Sequence, residues 1–194
     1  SHAAEPENGV NPALAIAELI QQYNDIVVND VRDDNFALIT PVYGCLGSKD
    51  YGVSPADGEL HLTIRTRAPQ QMDELMNKIE SIAAKVADKH KLSKELLWFD
   101  YFAATKNDAF CNKIIKESAT ENKLDSSSQD YPFKFGEDFG VFTQRYPGAM
   151  FGLGSGEETP ALHNPDYDFP DEIIETGISM FKNIIINTLQ KSKN

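Results

Sequence analysis

The first half of the chain alternates between helical and strand-like hydrophobic patterns. Behind the cap-forming pair Asn11-Pro12, apolar residues recur at the spacing of one helix face, at Ile16, Leu19, Ile20 and Tyr23. A continuous apolar run over 36–43 predicts a buried strand, and apolar–polar alternation over 60–65 predicts a half-buried one. A second helix is predicted from Pro69, and the aromatic-rich run 96–103 predicts a further strand.

This order predicts most of one known supersecondary arrangement. Helix, strand, strand, helix, strand over 10–104 is βαββαβ without its first strand, the ferredoxin-like sandwich of an antiparallel sheet under two helices. The expected fold class is therefore α+β for this part, with the first strand missing. Because the chain also lacks an initiator Met, we expect it to be the C-terminal part of a longer protein.

The second half has a different pattern. It predicts helices over 108–119, 137–145 and 171–189, with one apolar strand over 149–153. A lone strand leaves its backbone groups without ladder partners, and the last helix is apolar over a wide arc. These features predict part of a larger α/β domain. We accordingly expect two domains, 1–106 and 107–194.

Charge and composition exclude several classes of function. The formal net charge is −12, from 18 Lys and Arg against 30 Asp and Glu. Such a surface repels phosphate backbones and anionic lipids, which argues against nucleic-acid or membrane binding. Cys45 and Cys111 lack the spacing of a metal or redox motif, and two reduced structural thiols weakly favour a cytoplasmic location.

Motifs that carry chemistry are few. The chain has 4 histidines and none of the common nucleophile, phosphate-loop or zinc-helix signatures. Only His163 lies in a glycine-rich, loop-like context. From the residues alone it is either a turn residue whose imidazole bonds the backbone or a metal ligand.

Four segments of the chain together match the pattern of one enzyme family: Ser1-His2-Ala3-Ala4-Glu5-Pro6, Phe135-Gly136-Glu137-Asp138-Phe139, residues 146–154 and Ala161-Leu162-His163-Asn164-Pro165. They resemble the zinc-dependent aminoacylase/carboxypeptidase amidohydrolase family, in the branch that includes auxin-conjugate, aminobenzoyl-glutamate and N-acyl-amino-acid hydrolases. The lid domain of that family opens on a His-Ala-Ala segment, and its C-terminal part carries an acidic pair, a Pro-Gly turn, a glycine loop and His-Asn-Pro.

The resemblance implies roles for two histidines. His163 matches the family's C-terminal metal ligand, where a neutral imidazole suits a divalent ion. The full enzyme would hold two such ions, with zinc favoured and manganese or cobalt as alternatives. His2 matches a lid histidine that reaches across the family's dimer to hold the scissile carbonyl or its oxyanion. Its alternative interpretation is a frayed, solvated terminus.

The resemblance also implies a substrate-binding set. Arg65 matches a lid arginine that binds the substrate carboxylate, while Gly154, Ser155 and Gly156 would offer backbone N–H groups. Glu137 would line the pocket. Each of these has a simpler alternative interpretation. Arg65 would lie on a solvated strand face, the loop 154–156 would be a tight turn, and Glu137 would be part of the acidic start of a helix.

The implied function is hydrolysis of the amide bond of N-acyl amino acids or small peptides, by a homodimer that associates through the lid. Where relatives carry Asn-Val-Ile-Pro, this chain has Gly52-Val53-Ser54-Pro55, so a different substrate pocket is expected. The family's other ligands and its general base lie upstream of the lid. We therefore expect the chain alone to be inactive and to bind no metal stably. The alternatives are a non-catalytic dimerisation module and a ligand-sensing ferredoxin-like domain.

Overall fold

The computed structural model describes residues 1–191, so the end of the predicted second domain, 192–194, lies outside the described residues. The chain forms two compact units. The first contains Ser1–Ala104 and returns at Asp130–Gly136, and the second contains Thr105–Gln129 and the chain from Glu137 onward. Each unit is described separately below.

The first unit contains the predicted helices and the first two predicted strands. After a short 3-10 helix, its elements follow the expected order: Pro6–Asn8, then α1 (Ala13–Asn24), β1 (Ala37–Leu46), β2 (Gly58–Thr66) and α2 (Pro69–Lys89). The Asn11 side-chain oxygen accepts the Ala13 N–H at 2.9 Å, which satisfies one of the donors that a helix start leaves unpaired. Proline opens α2 at its first position, where no intrahelical N–H is needed.

The two strands pair antiparallel, and their alternation decides which side chains face the helices. The register runs from Ala37 opposite Thr66 to Leu46 opposite Gly58, with an irregularity between Pro41 and Tyr43. Proline has no N–H to give the ladder, which accounts for the break. One strand face supplies Ile39, Leu60, Leu62 and Ile64 to a core that includes Tyr23, Leu75 and Ile79. The opposite face, which carries Glu59, His61, Thr63 and Arg65, points away from this core.

The predicted strand over 96–103 is wrong. Within the described residues these positions belong to no strand, so this sheet has two strands rather than the ferredoxin-like set. Asp100 has a φ of +51°, a conformation that interrupts extended backbone. Side-chain contacts hold the segment instead, since the Trp98 indole N–H donates to Glu80 of α2 at 2.9 Å.

The second unit is helical in its regular structure. Its helices are α3 (Ala109–Glu121), α4 (Gly140–Thr143) and α5 (Ile173–Lys191), and the middle one is shorter than the predicted 137–145. The Asp108 carboxylate caps α3 by accepting the Cys111 N–H at 3.0 Å. That backbone hydrogen bond is the largest cause that lowers the pKa of Asp108.

The predicted strand over 149–153 is also wrong. The Asn107 side chain takes the place of a strand neighbour at Met150, donating to its carbonyl at 2.7 Å and accepting its N–H at 2.9 Å. No described residue from 149 to 153 belongs to a strand. Local side-chain pairing thus satisfies a backbone that the sequence pattern assigns to a sheet.

A buried polar contact joins α3 to α5. Ser118 is fully buried, and the Asn187 amide donates to its hydroxyl and to the Glu121 carboxylate, both at 3.1 Å. Asn187→Leu leaves the buried hydroxyl without this donor. We expect a loss of about 1–3 kcal/mol in the free energy of unfolding, measured by urea denaturation. Exposed Gln190→Leu on the same helix is the control, and equal losses in both variants would contradict a specific role for the contact.

An ion-pair cluster joins α1 to α2. Glu18 of α1 accepts from His90 at 2.8 Å and from Lys89 at 2.9 Å. The His90 hydrogen bond, followed by that of Lys89, lowers the pKa of Glu18 from its usual 4.5.

A carboxylate with a lowered folded-state pKa adds stability above its unfolded pKa and loses it as pH falls through the folded value. We therefore expect Glu18→Gln to lower the Tm at pH 7, and the difference from the parent protein to shrink as pH falls below 4.5. Circular dichroism melts at several pH values measure this. A Tm difference that stays constant down to pH 2 would argue against the carboxylate.

The predicted wide apolar face of α5 is only partly covered among the described residues. Four of its side chains keep roughly half or more of their surface exposed: Ile174 47%, Ile178 63%, Phe181 59% and Ile185 58%. The second unit therefore does not bury its own apolar surface as an independent domain would. None of the helices within residues 1–191 combines the length and apolar composition that a membrane span requires.

Candidate functional site

Arg65 is a half-buried cation of the first unit. It lies on the outward face of β2, opposite Leu38 of β1. Across the described residues, its guanidinium makes no ion pair or hydrogen bond. Arg67, two residues later, is different, because its guanidinium donates to the Asp34 carboxylate at 2.8 Å. The arrangement leaves the Arg65 donors available for a carboxylate from outside this unit.

His2 is held by backbone pairing and presents one ring nitrogen outward. The Ala3 N–H donates to Gly52 O and the Ser54 N–H to Ser1 O, both at 2.9 Å, which pairs His2 with Val53. The segment is thus paired rather than frayed. Ala4 N–H donates to His2 Nδ1 at 3.0 Å. In the neutral imidazole this places the proton on Nε2, a donor suited to a carbonyl oxygen.

The outward face of the hairpin also carries a group that the sequence analysis did not single out. The rings of Tyr43 and His61 meet edge-on with centroids 5.0 Å apart, and His61 Nε2 lies 3.3 Å from Glu59. A hydrogen bond with Cys45 is the largest cause that raises the pKa of Tyr43. Strand register brings these side chains together. The apolar–polar alternation over 60–65 places His61 on this face of β2, whereas the apolar run over 36–43 gives no signal on β1.

His163 lies in a turn of the second unit. It has a φ of +74° and is exposed, and the Asn164 N–H closes the turn by donating to Ala161 O at 3.0 Å. Histidine in this left-handed region is uncommon and indicates a locally imposed conformation. The imidazole makes no hydrogen bond with any other described residue.

The described residues do not form a metal centre by themselves. No group of three His, Cys, Asp or Glu side chains within 1–191 is arranged to hold a metal ion. A two-metal centre needs several such ligands. The residues present therefore do not fit a pair of divalent ions on their own, and His163 can supply at most one ligand to one.

The glycine loop and Glu137 are accessible. Gly154, Ser155 and Gly156 are all exposed, and Gly156 has a φ of +99° that favours glycine. The Thr159 hydroxyl donates to Ser155 O at 2.6 Å, which closes the loop. Glu137 is exposed just before α4. These residues and His163 belong to the second unit, whereas His2 and Arg65 belong to the first.

Comparison with known proteins identifies one family. The profile described as "Peptidase family M20/M25/M40" matches residues 31–187. This range includes parts of both units and contains Arg65, Glu137, the glycine loop and His163. It does not extend to His2.

Curated relatives extend the similarity over nearly the whole chain. An N-acetyldiaminopimelate deacetylase of Bacillus licheniformis is 25% identical over 177 residues, which cover 91% of this chain and 47% of that protein. An N-acetylcysteine deacetylase of Bacillus subtilis is 22% identical over 193 residues, covering 99% of this chain and 50% of that protein. The chain spans about half the length of the curated relatives it matches.

A solved structure shares the fold. The Bacillus subtilis YXEP protein, described as a dinuclear metal binding peptidase from the M20 family, aligns with a TM-score of 0.72 at 19% identity. The alignment covers 93% of this chain and 47% of the other.

Proposed function

Because the chain belongs to the peptidase family M20/M25/M40, we propose that the whole protein is a metal-dependent amidohydrolase. The family match over residues 31–187 is the observation that carries the proposal. Residues 1–106 would form the lid and 107–194 part of the catalytic domain. The dimerisation-only and ligand-sensing alternatives gain no specific support, and the exposed α5 face disfavours a self-contained second domain.

We propose that the substrate is an N-acyl amino acid or a small peptide, cleaved at its amide bond. Relatives named N-acetyldiaminopimelate and N-acetylcysteine deacetylase support this class. They also support the narrower branch that contains N-acyl-amino-acid hydrolases. Arg65 would bind the substrate carboxylate, since its half-buried guanidinium has no ion-pair or hydrogen-bond partner within residues 1–191, whereas Arg67 is paired with Asp34. A forked guanidinium matches a carboxylate with two parallel hydrogen bonds.

His2 would act on the reacting carbonyl. With Nδ1 occupied by the Ala4 N–H, the outward Nε2–H is a donor for the carbonyl oxygen. Such a donor contributes most when charge develops on that oxygen in the transition state. The resemblance implies that this histidine serves the site of a partner subunit. Homodimerisation through the lid is therefore part of the proposal.

Residues of the second unit would complete the chain's contribution. His163 would be one ligand of a centre that holds two divalent ions, for which zinc is favoured and manganese or cobalt are alternatives. The backbone N–H groups of Gly154, Ser155 and Gly156 would meet the substrate, with Glu137 lining the pocket. The dinuclear metal binding described for the YXEP protein supports the metal requirement. Because the described residues of this chain form no metal centre by themselves, the remaining ligands would come from elsewhere in the whole protein.

Amine release from a panel of N-acetyl amino acids tests the proposal. The protein expressed from its complete coding sequence is assayed as prepared, after chelation, and after zinc, manganese or cobalt is returned. We expect hydrolysis that chelation abolishes and one of these metals restores. Hydrolysis that survives complete metal removal would contradict the metal requirement, and no hydrolysis of any N-acyl substrate would contradict the proposed activity.

A further inference from the structure

The Arg65 guanidinium lies against a backbone position that has no side chain. An ideal Cβ built on Gly136 would lie 3.3 Å from Arg65 Nη1 and 3.2 Å from Phe102 Cδ2. Both distances are shorter than ordinary van der Waals contact, so a side chain here would displace the arginine or the ring. The Arg65 guanidinium and the Phe102 ring thus both lie against the position that a side chain of residue 136 would occupy.

Space, rather than backbone conformation, is the reason for glycine at this position. The positive-φ glycines among the described residues are Gly47 and Gly156, and Gly136 is not one of them. The φ angle of this position therefore does not require glycine. What a substitution would change is the contact with Arg65 and Phe102.

The segment that ends at Gly136 is fixed to the first unit. Asp130–Gly136 groups with that unit although its flanking residues group with the second. Lys134 Nζ donates to Asn29 O at 3.1 Å and to Asn29 Oδ1 at 2.9 Å. The Arg32 guanidinium lies 4.7 Å from the centroid of the Tyr131 ring. Gly136 therefore presents an anchored surface to Arg65, not a free loop.

We infer that Gly136 and Phe102 are positioning residues, which orient the Arg65 guanidinium for a substrate carboxylate. This inference rests on the proposed function. Two parallel hydrogen bonds require the guanidinium plane to be aligned with the carboxylate. A long arginine side chain that forms no ion pair samples several rotamers, and fixing one of them when substrate binds costs conformational entropy. The close packing around Gly136, where Arg65 and the Phe102 ring meet the same space, limits that freedom beforehand and would strengthen carboxylate binding.

The test compares a carboxylate substrate with its neutral analogue. KM and kcat are measured for an N-acetyl amino acid and for the matching N-acetyl amine that lacks the carboxylate, with the protein expressed from its complete coding sequence. We expect Gly136→Val to raise KM for the carboxylate substrate about tenfold, because small misplacements of a binding group are costly. Its kcat/KM for the neutral analogue stays unchanged. Gly136→Ala shifts KM in the same direction by less.

Three further variants supply a control and separate this inference from the proposed role of Arg65. Gly44→Ala is the control, since its ideal Cβ would come no closer than 3.9 Å to Glu59 O. Adding Gly136→Val to Arg65→Met should raise KM no further, because the glycine acts through the arginine. If Arg65→Met itself leaves KM unchanged, the proposed role of Arg65 fails. If Arg65→Met raises KM and Gly136→Val does not, only the positioning role is overturned.

Thermal unfolding and the substrate comparison together distinguish a folding defect from a loss of Arg65 positioning. Thermal unfolding identifies any variant that is not folded. The single variants Gly136→Ala and Phe102→Leu are then compared on the carboxylate substrate and its neutral analogue, to distinguish positioning of Arg65 from a general structural role. A rise in KM confined to the carboxylate substrate supports positioning. Equal losses on the carboxylate and neutral substrates would overturn it, because a merely structural residue does not distinguish the two.

Discussion

Replacing His163 with glycine is expected to lower kcat for N-acyl amino acid hydrolysis by at least about a hundredfold, with a parallel loss of bound metal. Partners that merely orient a metal ligand are worth roughly 10- to 100-fold, and the ligand itself should be worth no less. Glycine is the informative replacement because position 163 has a φ of +74°. It keeps that conformation without strain, whereas alanine would add strain of its own.

This substitution separates the two interpretations of His163. If the residue is only part of a turn, glycine should preserve or raise the Tm and leave kcat unchanged. Lys123→Gly is the matched control, since Lys123 in the same unit has a φ of +56° and no proposed role. Metal analysis by mass spectrometry accompanies the kinetics. Full metal content and full activity in His163→Gly would remove it from the metal centre.

Replacing Arg65 with methionine is expected to raise KM for N-acetyl amino acids about 10- to 100-fold. Hydrogen bonds to charged groups are worth roughly 1.5–3 kcal/mol, and each 1.4 kcal/mol corresponds to about tenfold in affinity. Methionine keeps much of the stem's packing and removes the donors. The matching N-acetyl amine, without a carboxylate, should be hydrolysed as well by the variant as by the parent enzyme.

Arg67→Met is the control for the loss of one positive charge. Its guanidinium is already paired with Asp34 at 2.8 Å, so it has no free fork for a substrate. We expect it to leave the ratio of kcat/KM values for the carboxylate and neutral substrates unchanged. An equal loss of carboxylate preference in both arginine variants would indicate a general field effect, and the specific role of Arg65 would be withdrawn.

The sequence predicted the elements whose determinants are local. Asn11 and Asp108 mark helix starts, and their side chains do accept backbone N–H groups there. Alternation over 60–65 assigns the two faces of β2 correctly, because side chains alternate along any strand. These signals depend on neighbours within a few residues, which is why they can be read without the fold.

The two wrong strand predictions lie where strand pairing depends on residues that are distant in the sequence. The runs 96–103 and 149–153 have strand-like composition, yet a strand exists only if a neighbour accepts its hydrogen bonds. Asp100 leaves the extended region, and Asn107 satisfies the Met150 backbone with its side chain. Hydrophobic periodicity predicts neither the positive φ of Asp100 nor the hydrogen bonds between Asn107 and Met150.

The sequence allowed the residues of the candidate site to be predicted, but not their contacts with one another and with their surroundings. The family resemblance identified Arg65 and His163 from the sequence. Only the structure shows that Arg67 is paired with Asp34, whereas Arg65 has no ion-pair partner among the described residues. The same holds for Gly136, which is 71 positions from Arg65 along the chain by their residue numbers. Contacts at such sequence separation are set by tertiary packing, so a single sequence does not specify them.

The most direct test of the account is a side-by-side assay of residues 1–194 and of the protein expressed from its complete coding sequence. Each is supplied with zinc, manganese or cobalt and with an N-acetyl amino acid, and amine release and bound metal are measured together. We predict metal-dependent hydrolysis by the complete protein. We expect neither hydrolysis nor stoichiometric metal binding by residues 1–194, whose described part gathers no three metal-ligating side chains. Turnover by residues 1–194 alone, with metal bound in stoichiometric amount, would contradict this expectation.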